Sequence, residues 1–112
     1  MPQVAIIGLG LIGGSILQGL YERKFASRLV ACDKSSMVKL AKEQGLVNLA
    51  TTDIATAIAG VDMIVIATPT KAIEGVLREI FAAIVAGVVK YSVIITDVAS
   101  TKGNICLLYT SP

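Results

Sequence analysis

Short apolar runs punctuate the chain, and each stops at a small or polar residue. Gln3–Ile7, Arg28–Cys32, Leu46–Ala50, Asp62–Ala67 and Ser92–Asp97 lack a clean polar–apolar alternation. Such runs, rich in Val, Ile, Leu and Ala, read as strands buried on both faces, with Leu46–Ala50 the weakest. Helical spacing fills the gaps between them. Gly13 to about Lys24 carries Ile16, Leu17 and Leu20 in line with Ile12. Ser36 is placed to cap a helix through Gln44, with Gly45 just past its end. Asp53 is placed to cap Ile54–Ala59 ahead of Gly60, and Thr68-Pro69 stops the fourth run because proline cannot donate to a ladder. Lys71–Val85 repeats apolar residues at Ile73, Val76, Leu77, Ile80, Phe81 and Ile84, the i, i+3, i+4, i+7 stripe of an amphipathic helix. Ala99–Lys102 opens a further turn or helix.

Strands alternating with helices predict a parallel sheet with right-handed crossovers. The first turn narrows this further. The run Val4–Ile7 breaks at Gly8-Leu9-Gly10-Leu11-Ile12-Gly13, and Asp33 follows Gly13 by twenty residues at the end of the second run. Strand, G-x-G-x-x-G, helix, strand and acid, in that order, form the dinucleotide-binding fingerprint. The expected fold is therefore α/β: a Rossmann-type doubly wound parallel sheet of five to six strands with helices on both faces. In that fingerprint Gly8 makes the sharp turn, Gly10 leaves room for a pyrophosphate and Gly13 allows close helix packing, while the helix N-terminus faces the phosphates. Asp33 would accept ribose hydroxyls and repel a 2′-phosphate, which favours NAD over NADP; Lys34 softens that repulsion. A purely structural glycine turn and a solvated or capping Asp33 are the competing readings.

Ligands of open α/β sheets sit beyond the carboxyl ends of the strands. Gly8, Asp33, Thr68, Asp97 and Ser100 all fall there. Thr68-Pro69-Thr70 lies where a loop would run over the nicotinamide half, or is an ordinary strand-ending turn. Asp97 alone reads as a cap or buried acid, and Ser100 alone as a helix N-cap. Lys71, Glu74, Arg78 and Glu79 read as a solvated helix face, and Cys32 as a small buried apolar residue.

Composition removes other classes. With 54% hydrophobic and 16% charged residues, the chain is rich enough in apolar side chains to fold. A net charge of +2 without a basic cluster gives no reason to expect nucleic acid. Val4–Leu17 is uncharged, but its fourteen residues hold four glycines and fall short of the ~20 a membrane span needs. Two cysteines, Cys32 and Cys106, have no metal-ligand spacing and suit a reducing cytoplasm. The chain has no histidine, which rules out a Ser-His or Cys-His nucleophile within it.

Three stretches carry a family resemblance: I-I-G-L-G-L-I-G-G-S at Ile6–Ser15, A-T-P-T at Ala67–Thr70 and T-D-V-A-S-T-K at Thr96–Lys102. Together they resemble the nucleotide-binding domain of prephenate and arogenate dehydrogenases of tyrosine biosynthesis, over residues 3 to about 105. The resemblance implies NAD-dependent oxidative decarboxylation of prephenate to 4-hydroxyphenylpyruvate, or of arogenate to tyrosine. It implies that Gly8, Leu9, Gly10, Leu11, Ile12, Gly13 and Asp33 cradle the cofactor, that Thr68 and Pro69 flank the nicotinamide, and that Ser100 stands by the reacting hydroxyl. The family's catalytic histidine, its substrate-binding arginine and its helical dimerisation domain have no counterpart here. The expectation is a cytoplasmic cofactor domain at residues 1–105 that does not turn over substrate alone, from a homodimer joined through the missing domain. Its partner would be a small-molecule substrate, with no nucleic acid and no membrane.

Cys106-Leu-Leu-Tyr-Thr-Ser-Pro112 is what TGT CTC TTA TAC ACA TCT CCG encodes, a string that looks like a transposon-based sequencing adapter. Residues 106–112 are accordingly expected to be non-native. Two other readings stay open at this point: another Rossmann oxidoreductase of the β-hydroxyacid dehydrogenase type, and a non-catalytic NAD-binding module.

Overall fold

A computed structural model describes residues 1–98. The order of elements is β1 (Gln3–Ile7), α1 (Leu11–Glu22), β2 (Arg28–Cys32), α2 (Ser35–Gln44), β3 (Leu49–Thr51), α3 (Ile54–Ile58), β4 (Met63–Ile66), α4 (Thr70–Val85) and β5 (Ile94–Asp97). The five strands form one parallel sheet in the order β3-β2-β1-β4-β5. The chain winds outward one way from β1 and then restarts at β4 on its other side. Such a reversal opens a crevice at the carboxyl ends of β1 and β4. The expected doubly wound α/β fold is the one observed, with five strands among the described residues.

The lack of alternation in the strands has a direct cause. Val4 and Ile6 join Leu17, Val38 and Ala41 in a core on the α1/α2 face. Ala5 and Ile7, one residue out of phase, join Ile58, Ile73, Leu77 and Ile80 on the α3/α4 face. Every β1 position from Val4 to Ile7 is thus buried. Each of the buried Val and Ile side chains contributes about 1.5–3 kcal/mol on leaving water, and Ala5 less.

Element ends shift where side chains replace ladder bonds. β3 starts at Leu49 rather than Leu46, because Asn48 closes the preceding loop on Leu29: its backbone N–H donates to the Leu29 carbonyl and its side-chain Oδ1 accepts the Leu29 N–H, both at 2.8 Å. α2 starts at Ser35, and the N-cap is Lys34 rather than Ser36. Lys34 N–H donates to Asp33 Oδ1 at 2.7 Å, while the Lys34 carbonyl already accepts from Met37 and Val38, so the first turn closes early. Gly45 ends α2 at φ 71°, and Asp53 caps α3 through Thr56 N–H at 2.9 Å, both as expected. The bonds to Thr56 hold the Asp53 carboxyl below its usual range.

Two apolar residues leave their expected stripes. Phe81 is 45% exposed, because the buried line of α4 runs through Ile73, Val76, Leu77, Ile80 and Ala83, about 100° from Phe81. Ile12 is 55% exposed, in the first turn of α1, while Gly13 and Leu17 face the sheet.

The amino ends of the strands are closed by Asp62. Its Oδ2 accepts the Gln3 N–H at 2.7 Å, its N–H donates to the Gln3 carbonyl at 2.8 Å, and its carbonyl accepts from Ile94 at 3.0 Å. Lys90 pairs with the same carboxylate. The Gln3 amide, and then Lys90, hold that carboxyl below its usual range.

The register of α4 gives a test. Ile80→Ala is expected to cost about 2–5 kcal/mol in urea unfolding, because its methyls are fully enclosed. Phe81→Ala, one residue away on the exposed flank, is expected to stay within about 0.5 kcal/mol. Equal costs would contradict this placement.

Candidate functional site

The carboxyl ends of the strands frame a cleft of about 570 Å³. Its floor is the turn after β1. Gly8 adopts φ +99°, and a Cβ there would stand 2.7–2.8 Å from the Ala67 carbonyl group and Thr68 N. Only glycine lets the β1 turn lie this close to the end of β4. The Gly8 N–H donates to the Cys32 carbonyl at 2.8 Å, and Ala67 N–H donates to Ile7 at 2.7 Å. Three strand ends are therefore stitched together beneath the cleft.

Gly13 fixes how closely α1 approaches that turn. A Cβ on it would fall 1.9 Å from the Gly8 carbonyl oxygen. Gly10, the N-cap of α1, differs: a Cβ there would meet nothing within 4 Å. It lines the cleft, so its missing side chain leaves open space beside the first-turn N–H groups, which have no partner within the helix. No acidic residue occupies that first turn, so its partial positive charge is not offset from within the helix.

Seven of the ten residues singled out in the sequence line this cleft: Gly8, Gly10, Leu11, Ile12, Asp33, Thr68 and Pro69. Leu9 and Gly13 lie beneath it. Leu9 buries its side chain in the α1/α2 core and contributes only backbone, its N–H donating to Asp33 Oδ2 at 2.6 Å. Gly13 is buried against Gly8. Ser100 lies outside the described residues. Asp97 is 4% exposed at the end of β5.

Met37 and Val98, neither of them a predicted site residue, also line the cleft. Met37 lies one turn into α2, where an isolated methionine gives no signal. Val98 reaches the cleft only because its N–H continues the β4–β5 ladder to Ile66 at 3.0 Å.

Two features bear on whether a nucleotide fits. The Thr68 hydroxyl oxygen is buried and has no hydrogen-bond partner among the described residues. A buried hydroxyl left so is costly, and a polar ligand in the cleft it borders supplies a reason to keep it. The donors and acceptors are also sorted by position, with helix N–H groups at the β1 turn and a carboxylate at the β2 end. They fit a pyrophosphate and a ribose respectively.

Cys32 borders a smaller recess of about 200 Å³ that shares Asp33 and Thr68 with the cleft. Burial, and then the Asp33 carboxylate, push its thiol up to about 11. It is thus not poised as a nucleophile. Among the described residues, no group of three His, Cys, Asp or Glu could hold a metal ion, and no helix is long and apolar enough to cross a membrane. Arg78 and Glu74 pair at 3.0 Å on the open face of α4, both about four-fifths exposed, so they contribute little.

A family model described as "NADP oxidoreductase coenzyme F420-dependent" matches residues 3–98. A prephenate dehydrogenase of Lactococcus lactis subsp. cremoris is 29% identical over 105 residues, which are 94% of this chain and 28% of that protein. The arogenate dehydrogenase of Synechocystis superposes with a TM-score of 0.76 at 27% identity, over 96% of this chain and 37% of that one. The prephenate dehydrogenase of A. aeolicus, solved with hydroxyphenyl propionate and NAD+, gives 0.70 at 24% identity, over 87% and 33% respectively, and shares the fold. The chain thus spans roughly a third of the length of these relatives.

Two substitutions and one labelling experiment test the site's construction. Gly13→Ala is expected to destabilise by about 3 kcal/mol or more, since helix and turn must separate. Gly10→Ala is expected to cost below about 1 kcal/mol, read from the same urea midpoints. In a Cys106→Ser background, Cys32 is expected to react with iodoacetamide at pH 8 far more slowly than an exposed thiol. Its thiolate fraction there is about one in a thousand, rising tenfold per pH unit below pH 11. Rapid labelling of the folded chain at pH 8 would contradict that placement.

Proposed function

This chain belongs to the family described as NADP oxidoreductase coenzyme F420-dependent, and from that premise we propose that it is the NAD-binding portion of a prephenate dehydrogenase of tyrosine biosynthesis. The observation that carries the proposal is the joint placement of the glycine turn and the Asp33 carboxylate on one cleft. The named relatives support the substrate class, with arogenate the alternative. The full protein would act in the cytoplasm as a homodimer.

In this reading residues 1–105 form the cofactor domain, and 106–112 are non-native. When bound, NAD supplies the hydride acceptor for oxidising the ring hydroxyl of prephenate as its carboxylate leaves as CO₂. The chain's own residues bind and orient. The α1 N-terminus and Gly10 take the pyrophosphate, with Gly8 and Gly13 shaping the turn and Leu9 fixing it. Leu11 and Ile12 offer apolar contact, Thr68 and Pro69 flank the nicotinamide, and Ser100 stands beside the reacting hydroxyl. Asp33 takes the ribose hydroxyls and, carrying a charge, disfavours a 2′-phosphate. No histidine is available to take the proton from the ring hydroxyl.

Fluorescence titration of the chain with NADH and NADPH tests this. NADH is expected to bind about tenfold more tightly, from the like charges that NADPH would bring together. Equal or tighter NADPH binding would overturn the NAD assignment, and no binding of either would overturn the nucleotide reading. With NAD and prephenate the chain is expected to give no turnover; a measurable rate would show that it holds its own proton acceptor.

A further inference from the structure

The reading above assigns Asp33 to a ribose, yet both carboxylate oxygens already hold protein groups. Oδ2 accepts the Leu9 N–H at 2.6 Å, and Oδ1 accepts the Lys34 N–H at 2.7 Å. Leu9 lies between Gly8 and Gly10, at the centre of the turn that presents the first turn of α1. Gly8 has no side chain to brace it and sits at φ +99°. What fixes the turn therefore comes from outside it. The Gly8 N–H is held by the Cys32 carbonyl, the Leu9 N–H by the Asp33 carboxylate, and the Leu9 side chain by the α1/α2 core, where it is 6% exposed. Two of these three anchors are consecutive residues at the end of β2.

Resting on the dinucleotide reading, we propose that Asp33 is also a positioning residue for the glycine turn. It holds the Leu9 amide, and through it the N–H groups at the start of α1, whether or not a ribose is present. A bond from a backbone N–H to a charged carboxylate is short and about twice as strong as a neutral one, which suits this anchor. The two tasks are compatible. Each carboxylate oxygen has two lone-pair directions, so one on each remains for a ribose hydroxyl. One acid would thus couple the ribose end of the cleft to its phosphate end.

The test separates the two tasks by removing the hydroxyls from the ligand. ADP and 2′,3′-dideoxy-ADP are titrated by calorimetry into the wild-type chain, Asp33→Ala and Asp33→Asn. The Leu9 amide is followed by ¹H–¹⁵N NMR in the same samples. With Asp33 positioning the turn, Asp33→Ala weakens dideoxy-ADP about tenfold, shifts the Leu9 amide proton upfield and speeds its exchange. Asp33→Asn, whose Oδ1 can still accept that N–H, recovers part of both effects. Loss of the carboxylate charge by itself would tighten diphosphate binding, so a weaker dideoxy-ADP complex cannot arise from charge alone.

Dideoxy-ADP bound as well or better by Asp33→Ala, or a Leu9 amide unmoved in that variant, would each overturn the proposal. If the wild-type chain binds neither nucleotide, the nucleotide reading fails, and the Leu9 amide alone decides whether Asp33 holds the turn. Should Asp33→Ala fail to fold, Asp33→Asn and Asp33→Ser carry the same comparison.

Discussion

The approach of α1 to the β1 turn at Gly13 governs the rest of the site. There is no room for a methyl group between the helix and the Gly8 carbonyl. Moving the helix outward to admit one would lift Leu17 from its place under the sheet and shift the first helical turn away from the cleft. The same constraint recurs one layer over, where Gly8 lies against the end of β4. Two absent side chains thereby set where the helix N-terminus, the end of β4 and the cleft meet.

That arrangement works only on a sheet that is dry on both faces. The α1/α2 and α3/α4 cores enclose alternate residues of the same strands, and the helices that enclose them are also the crossovers that keep the strands parallel. Parallel strands put their carboxyl ends on one side, so the elements that follow them all begin there. Lys34, Pro69 and Gly10, the N-caps of α2, α4 and α1, accordingly meet on one cleft. Each side chain has a modest role, and the site follows from the direction of the strands.

Much of this is legible in the amino-acid sequence itself. β1 and β2 have the expected bounds, because both are continuous apolar runs closed by residues of unmistakable type. Gly8, Gly13 and Asp33 were legible because each has a steric or charge role that few other residues can fill. What was not legible depended on bonds between distant parts of the chain. Asn48 displaced the start of β3 by replacing ladder bonds on Leu29, nineteen residues away. The carboxylate of Asp33 drew the start of α2 back by two residues, from a cap at Ser36 to one at Lys34. Phe81 fitted the apolar spacing of α4 but missed its buried line, since spacing alone does not fix the width of the covered face. The bond from Leu9 to Asp33 had no signal in sequence, because a backbone amide looks the same at every leucine.

The closures at Asp62 and Asn48 sit at the opposite end of the sheet from the cleft. There, side chains answer backbone groups and tie neighbouring strands together. At the carboxyl end, the first turn of α1 carries no acidic residue and the Thr68 hydroxyl meets no partner among the described residues. The molecule thus has a conservative pole and a permissive one. Around the fixed Gly8 and Gly13, exposed cleft residues such as Leu11 and Ile12 can be exchanged without touching the bonds of the scaffold below. A fold divided in this way can serve many chemistries over its history without being assembled anew for each.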